Sequence, residues 1–303
     1  MPLQVECYIA EVTTARTLTQ VLEETASAHG DSPALRQPVD GQPGGYLTYS
    51  WKQYLAAARE IAAGLDALGI KKGDVVALDS ETRLEFYLAD SGILANGSVA
   101  AAVYPSYPAA DLVRTIETVG ARAVFVENPK TLAALRTAKV EHWFLLTGEA
   151  EGAMTLAALR ESGRSAMSAD AALTERLRNR ISPTDPAILY LTSGATGEPK
   201  MALVSHQAIV ANIDMGPGVL PMGPEDSTVA FLPSAHIAQR VVMEFLPMRC
   251  AMAVTFFESL LRLPQDIRKV RPTIFLAPPR MWERIYSTIC TELNKRPLPA
   301  RRA

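Results

Sequence analysis

Short apolar or β-branched runs alternate with longer stretches in which apolar residues recur at helical spacing, and the alternation holds over most of the chain. Val75–Leu78, Ser98–Val103, Ala123–Val126 and His142–Leu146 are apolar enough throughout to be buried strands. Between them, Trp51–Leu68, Arg83–Ala95 and Ala109–Val119 carry the periodicity of helices. Gly69 and Gly120 follow two of these helices as C′ residues, and Asp111 lies near a helix start, where the macrodipole favours an acid. From Asp185 the pattern repeats. Ala187–Leu191, Thr228–Leu232, Ala253–Phe257 and Thr273–Ala277 read as strands; His206–Ile213, Ile237–Met248, Gln265–Val270 and Arg280–Leu293 read as helices.

This order predicts an α/β fold of mostly parallel sheets flanked by helices. Two α/β lobes are expected, 1–148 and 187–294, joined by a polar, Ala- and Arg-rich helical connector over 149–186 that closes on SPTDP. The basic, proline-punctuated stretch 295–303, KRPLPARRA, continues no element and is expected to be disordered.

Composition narrows the function class. The chain has 303 residues, 48% hydrophobic and 20% charged, enough for a sizeable core. Thirty basic against 32 acidic residues give a net charge of -2, which calls for neither nucleic acid nor an anionic membrane. Cys7, Cys250 and Cys290 form no C-x-x-C pair, so no disulfide framework or zinc site is indicated. Cys250 and Cys290 read as small core residues, and a reducing, cytoplasmic setting is expected. The amino terminus has no basic leader before an apolar core. The most apolar stretch, Ile93–Tyr104, is broken by Asn96, Gly97 and Ser98 and falls short of the roughly 20 residues of a membrane helix, so membrane contact is expected to be peripheral at most.

The candidate chemistry lies in Leu191 to Lys200, LTSGATGEPK, between an apolar strand and a second short apolar run. Thr192, Ser193 and Thr196 offer hydroxyl donors, Gly194 and Gly197 let the backbone approach a ligand closely, and Lys200 adds a mobile cation. Successive backbone N–H groups in such a loop can form a concave anion site, so a polyphosphate finds every donor it needs in one segment. A plain Gly-rich turn with solvated hydroxyls is the alternative. The spacing is not that of a Walker loop, and no G-x-G-x-x-G fingerprint occurs.

YLTSGATGEPKMALVSH resembles the signature loop of the adenylate-forming superfamily, usually Thr-Ser-Gly-Thr-Thr-Gly-x-Pro-Lys-Gly. FLPSAHIAQR, from Phe231, is similar to the Pro-Leu-Ala-His-Ile-x-Glu-Arg stretch of long-chain fatty acyl-CoA synthetases, and RPTIFLAPPRMWERIY, from Arg271, resembles the segment that follows. LTYSWKQYLAAAREIAAGLDALGIKKGDVVAL and the YPSYPA turn near Pro105 match in order and spacing. The resemblance runs to about Ile289 and implies the incomplete N-terminal domain of the adenylate-forming fold.

It also implies a reaction: ATP, magnesium and a long-chain fatty acid give an acyl-adenylate and pyrophosphate, and the acyl group then passes to coenzyme A. On that basis Thr192, Ser193, Gly194, Thr196, Gly197 and Lys200 would bind the β- and γ-phosphates, with Thr196 helping to hold Mg2+. Ala195 and Met201 replace a hydroxyl residue and a glycine. His236 would be the catalytic residue, orienting the carboxylate or α-phosphate, against the alternative of a hydrogen-bonded core histidine. Gln239 stands where the subgroup has a glutamate, which puts the charge pairing of Arg240 in doubt. His206 reads as structural. Pro278, Pro279 and Arg280 shape a pocket wall or merely start a helix, and Trp282 and Tyr286, four apart, read as core.

The family's later motifs, for adenine, ribose and the α-phosphate, have no counterpart in the sequence. The chain is therefore expected to be catalytically weak or inactive alone, or to act as a half-enzyme that pairs with a separately encoded C-terminal half or with itself.

Overall fold

The computed structural model describes residues 15–39, 42, 45–192, 200–257 and 263–295. Helix α1 (Leu18–His29) leads into strands β1 (Pro33–Pro38) and β2 (Tyr46–Ser50). Helix α2 (Trp51–Ala67), strand β3 (Val75–Asp79), helix α3 (Leu84–Asn96) and strand β4 (Val99–Ala102) follow. Next come α4 (Ala109–Thr118), β5 (Ala121–Val126), α5 (Pro129–Leu135), β6 (His142–Leu145) and the short β7 (Met154–Thr155). Helices α6 (Leu156–Ala169) and α7 (Leu173–Asn179) precede β8 (Pro186–Thr192), β9 (Lys200–Ser205) and α8 (His206–Val219). Strand β10 (Ser227–Ala230), helix α9 (Ile237–Arg240), a π-turn (Val241–Phe245) and α10 (Leu246–Cys250) lead to β11 (Ala253–Phe256), α11 (Leu263–Val270) and α12 (Pro279–Asn294).

Local chemistry starts the early helices. Thr17 with Gln20, and Ser50 with Gln53, form reciprocal capping boxes on α1 and α2. Gly69 and Gly120 follow α2 and α4 at φ of 81° and 67°, the left-handed conformation that ends a helix.

The strands form a seven-stranded sheet, β7-β6-β5-β3-β4-β8-β9, and a four-stranded sheet, β10-β11-β1-β2. All pairings are parallel except β8 with β9 and β1 with β2. Neither sheet keeps to one side of the 149–186 segment: β8 and β9 extend the sheet of β3 to β7, while β1 and β2 complete the sheet of β10 and β11. Within the larger sheet, alternate residues face opposite layers. Val76, Leu78, Ala100 and Phe125 pack with α2 and α3, while Ala77, Ala101 and Val124 pack with Leu112 and Ile116 of α4 and Leu132 and Leu135 of α5.

Helix α6 belongs to the first of these layers and crosses α2 at small residues. A Cβ at Gly163 would lie 1.8 Å from the Glu60 carbonyl oxygen, so only glycine allows the approach.

Three elements differ from their sequence patterns. Ile237–Met248 is divided into α9, the π-turn and α10, because Pro247 has no N–H; the carbonyl of Met243, four residues earlier, accepts the Tyr87 hydroxyl at 3.0 Å instead. Thr273–Ala277 forms no strand ladder: Arg271 sits at φ 51°, Pro272 brings no donor, and the Thr273 and Ile274 N–H groups both donate to the Ser227 carbonyl. Helix α12 has no buried residue, so Trp282 and Tyr286, expected in a core, are 49% and 70% exposed. Cys250 is buried, whereas Cys290 on α12 is only half-buried. Among the described residues no helix is long and apolar enough to cross a membrane.

Candidate functional site

Strand β8 places the candidate loop. It runs parallel to β4, so its carboxyl end emerges at the same edge as those of β3, β4 and β5, the edge where open α/β sheets bind ligands. Strand β9 returns antiparallel, with Tyr190 opposite Ala202, Leu191 opposite Met201 and Thr192 opposite Lys200. The backbones of Thr192 and Lys200 are thus held as direct neighbours, and the Lys200 side chain is exposed. Ser193, Gly194, Ala195, Thr196 and Gly197 lie outside the described residues.

The stretch before His236 is tied to the same edge. Thr82, just past β3, donates its hydroxyl to the Leu232 carbonyl at 2.5 Å and shares a 2.7 Å hydroxyl contact with the buried Ser234. His236 is exposed and caps α9, its Nδ1 accepting the Ala238 N–H at 3.1 Å. An accepting Nδ1 puts the proton of a neutral ring on Nε2.

One turn further on, α9 reaches β8. Arg240 is fully buried, with its guanidinium 5.7 Å from the Tyr190 ring of β8 and 5.7 Å from the Phe245 ring. Asp90 of α3, equally buried, answers its charge: Nε donates to Oδ2 at 3.1 Å and Nη2 donates to Oδ1. Residue 239 therefore does not supply the counter-charge. Gln239 instead donates through Nε2 to the Tyr87 hydroxyl at 3.2 Å, and a glutamate there would add a third buried carboxyl beside Asp90 and Glu244. Burial, reinforced by the Asp90 carboxylate, raises the proton affinity of the 2% exposed Glu244 well above the ordinary range. Burial likewise pushes the Tyr190 hydroxyl up to about 12.

The two sequence segments with candidate chemistry thus meet, through Arg240 on Tyr190, two residues before Thr192. His206 lies apart from this contact: it is 1% exposed, its Nδ1 accepts the Leu18 N–H at 3.3 Å, and burial lowers its pKa to about 4. Pro278 and Pro279 stand at the cap and first turn of α12, where proline starts a helix, and Arg280 is exposed beside them. Asp90, Tyr190 and Glu244 were not singled out by the sequence pattern. The available signal was an acid, Asp90, in the middle of a helix whose residues from Phe86 onward are all buried, which requires a partner. Among the described residues no group of three or more His, Cys, Asp or Glu side chains is arranged to hold a metal ion.

The family profile described as AMP-binding enzyme matches residues 22–302, and the chain belongs to that family. It is 30% identical over 237 residues to the long-chain-fatty-acid–CoA ligase FadD15 of Mycobacterium tuberculosis, covering 76% of this chain and 38% of that protein. It is 25% identical over 296 residues to the chloroplastic long-chain-fatty-acid–[acyl-carrier-protein] ligase AEE15 of Arabidopsis thaliana, covering 92% and 40% of the two chains. It spans 38–44% of the length of the curated relatives it matches. The N-terminal domain of FACL13 from M. tuberculosis shares the fold, with a TM-score of 0.72 at 21% identity over 88% of this chain and 63% of that one. The fatty acyl-adenylate ligase from L. pneumophila superposes with a TM-score of 0.69 at 22% identity, over 89% and 45% of the two chains.

Proposed function

We propose that the chain is the nucleotide-phosphate-binding, N-terminal portion of an ATP-dependent long-chain fatty acid–CoA ligase. The observation that carries this reading is the β8–β9 pairing at the carboxyl edge of the sheet, which sets the backbones of Thr192 and Lys200 side by side while Arg240 seats α9 against Tyr190. In the reaction a fatty acid carboxylate oxygen attacks the α-phosphorus of ATP, the bond to the bridging oxygen breaks, and pyrophosphate leaves with that oxygen; coenzyme A thiol then displaces AMP. The carboxylate is already ionised at neutral pH, so adenylation demands charge neutralisation and alignment more than proton transfer. Thr192, Ser193, Gly194, Thr196, Gly197 and Lys200 supply donors to the β- and γ-phosphates, and His236 orients the carboxylate or α-phosphate through Nε2. Magnesium is expected beside Thr196, which lies outside the described residues. A cytoplasmic setting is part of the same reading, in keeping with three widely spaced cysteines and no C-x-x-C pair in the sequence.

ATP binding to the purified chain, followed by a fluorescent analogue, tests the reading: Lys200→Ala should weaken it about tenfold or more. Palmitate-dependent ATP–pyrophosphate exchange should be weak or absent for the chain alone. Undetectable ATP binding, or binding unchanged in Lys200→Ala, refutes the phosphate-loop assignment.

Helix α12 favours a second reading, in which the chain acts with a C-terminal half supplied separately. Trp282, Tyr286, Ile289 and Leu293 expose apolar surface at helical spacing, 40–70% each. Co-purification of such a half, lost when Tyr286 and Ile289 are changed to serine, is the expected result; a monodisperse chain that captures none refutes it.

A further inference from the structure

The larger sheet changes direction at β3. The chain steps from β3 to β4 through α3, then returns past β3 to β5 through α4. Helix α3 covers one face and α4 with α5 covers the other, so the turns after β3 and β5 part in opposite directions. Such a switch point opens a crevice at the carboxyl edge, the recurrent ligand position in open α/β sheets. Here the crevice has a volume of about 330 Å3.

Its lining contains three acids, Asp79, Glu81 and Glu127, and one base, the exposed Lys130 at the rim. Glu127 is fixed by its neighbours: Oε2 accepts the Glu81 N–H at 2.9 Å and the Ser80 hydroxyl at 3.2 Å. Arg83 approaches Glu127 Oε1 only to 3.8 Å, with its Nε bound to Glu85 at 2.7 Å. Asp79 ends β3, is 1% exposed, and lines the crevice with a buried Oδ1 that has no hydrogen-bond partner among the described residues. A buried carboxyl oxygen without a donor is costly unless a ligand or proton completes it. Leu112 and Leu135 form an apolar wall, and Tyr107, 55% exposed, presents a ring stacked on Tyr104 at 5.4 Å.

We infer that this crevice binds a small organic ammonium compound, its head among Asp79, Glu81 and Glu127 and its carbon chain against Leu112 and Leu135. The chemistry selects the class. These acids are not arranged to hold a bare metal ion, whereas an ammonium group has several N–H donors that can reach carboxylates set apart, and an aromatic face favours its charge. The site lies outside the 191–200 segment and does not depend on the ligase reading.

Binding carries a proton signature. Burial, then the charges of Glu127 and Glu81, pushes the Asp79 carboxyl up to about 7; burial and Glu127 also raise Glu81. A bound cation displaces the Asp79 proton, so affinity strengthens about tenfold between pH 6 and pH 8 as the carboxyl ionises. The titratable groups lining the crevice with Asp79 are Glu81 from the β3–α3 turn, Tyr107 from the β4–α4 turn, and Glu127 and Lys130 from the β5–α5 turn, with Arg83 beside Glu127.

The experiment titrates the full chain, labelled with 13C at aspartate carboxyls, with n-butylammonium and with n-butanol. The expected result is that n-butylammonium moves the Asp79 carboxyl titration to lower pH and binds about tenfold more tightly at pH 8 than at pH 6, while n-butanol does neither. Asp79→Asn should abolish the pH dependence. Glu81→Gln, an exposed change that breaks no side-chain hydrogen bond among the described residues, should weaken binding severalfold while the Asp79 resonance still reports it. An Asp79 carboxyl unmoved by n-butylammonium, equal affinity for n-butanol, or pH-independent binding overturns the inference.

Discussion

Replacing Glu244 by glutamine should stabilise the protein, by an amount that grows with pH. Glu244 is buried beside Asp90, and the folded chain holds its proton to higher pH than the unfolded chain, which releases it above the ordinary glutamic acid value of about 4.3. Because the folded group is raised, its contribution is fully present below that value and is lost as pH rises through the folded one. Each pH unit above about 4.3 costs about 1.4 kcal/mol while the folded group stays neutral, which sets a ceiling of about 4 kcal/mol at pH 7. Glutamine removes the proton requirement but brings an amide whose donors need acceptors, and an unmet donor costs about 1–3 kcal/mol. The net gain at pH 7 should therefore be at most about 3 kcal/mol. Urea unfolding of both proteins at pH 5 and pH 8 measures it: the gap should widen as pH rises, by at most about 1.4 kcal/mol per pH unit. A gap independent of pH, or a glutamine variant less stable at pH 8, would refute the assignment of a neutral acid.

Arg240→Met leaves Asp90 buried without its partner and should cost about 3–5 kcal/mol in chemical denaturation, while pairing it with Asp90→Leu should recover most of the loss. His206 is held neutral, with its pKa lowered to about 4 by burial. Its contribution is complete above the unfolded value near 6.5 and is lost as pH falls toward 4, at most about 3 kcal/mol. His206→Asn, whose Oδ1 can accept the Leu18 N–H in place of Nδ1, should flatten the stability profile across that window, measured by thermal melts. Gly163→Ala drives a methyl into the Glu60 carbonyl and should lower stability by about 1–3 kcal/mol, read in the same melts.

Much of the larger sheet was legible because its strands are apolar on both faces and its helices are capped by ordinary signals. Val75–Leu78 and Ala123–Val126 announce themselves in that way, and Gly69 and Gly120 stop the helices where expected. Which strands lie together was not legible. Nothing local to Leu35 or Val254 marks them as partners, and the antiparallel turn of β9 beside a parallel β8 depends on tertiary context. The candidate loop was visible from its Thr, Gly and Lys content, but its support was not, since Asp90 and Arg240 are 150 residues apart. Trp282 and Tyr286 show the opposite failure. Their helical spacing signals an apolar face, yet spacing does not say what covers it.

The pairing of Leu35 with Val254 also constrains how the molecule is made. Strand β1 leaves the ribosome long before β11 exists, and at about 5–20 residues per second the interval is roughly 11–44 s. Until then the first two strands have an edge without its partner, in a growing chain that holds many apolar side chains. The smaller sheet is thus sealed late in synthesis, and until then only elements made earlier, such as α1 and α2, can shield the apolar residues of β1.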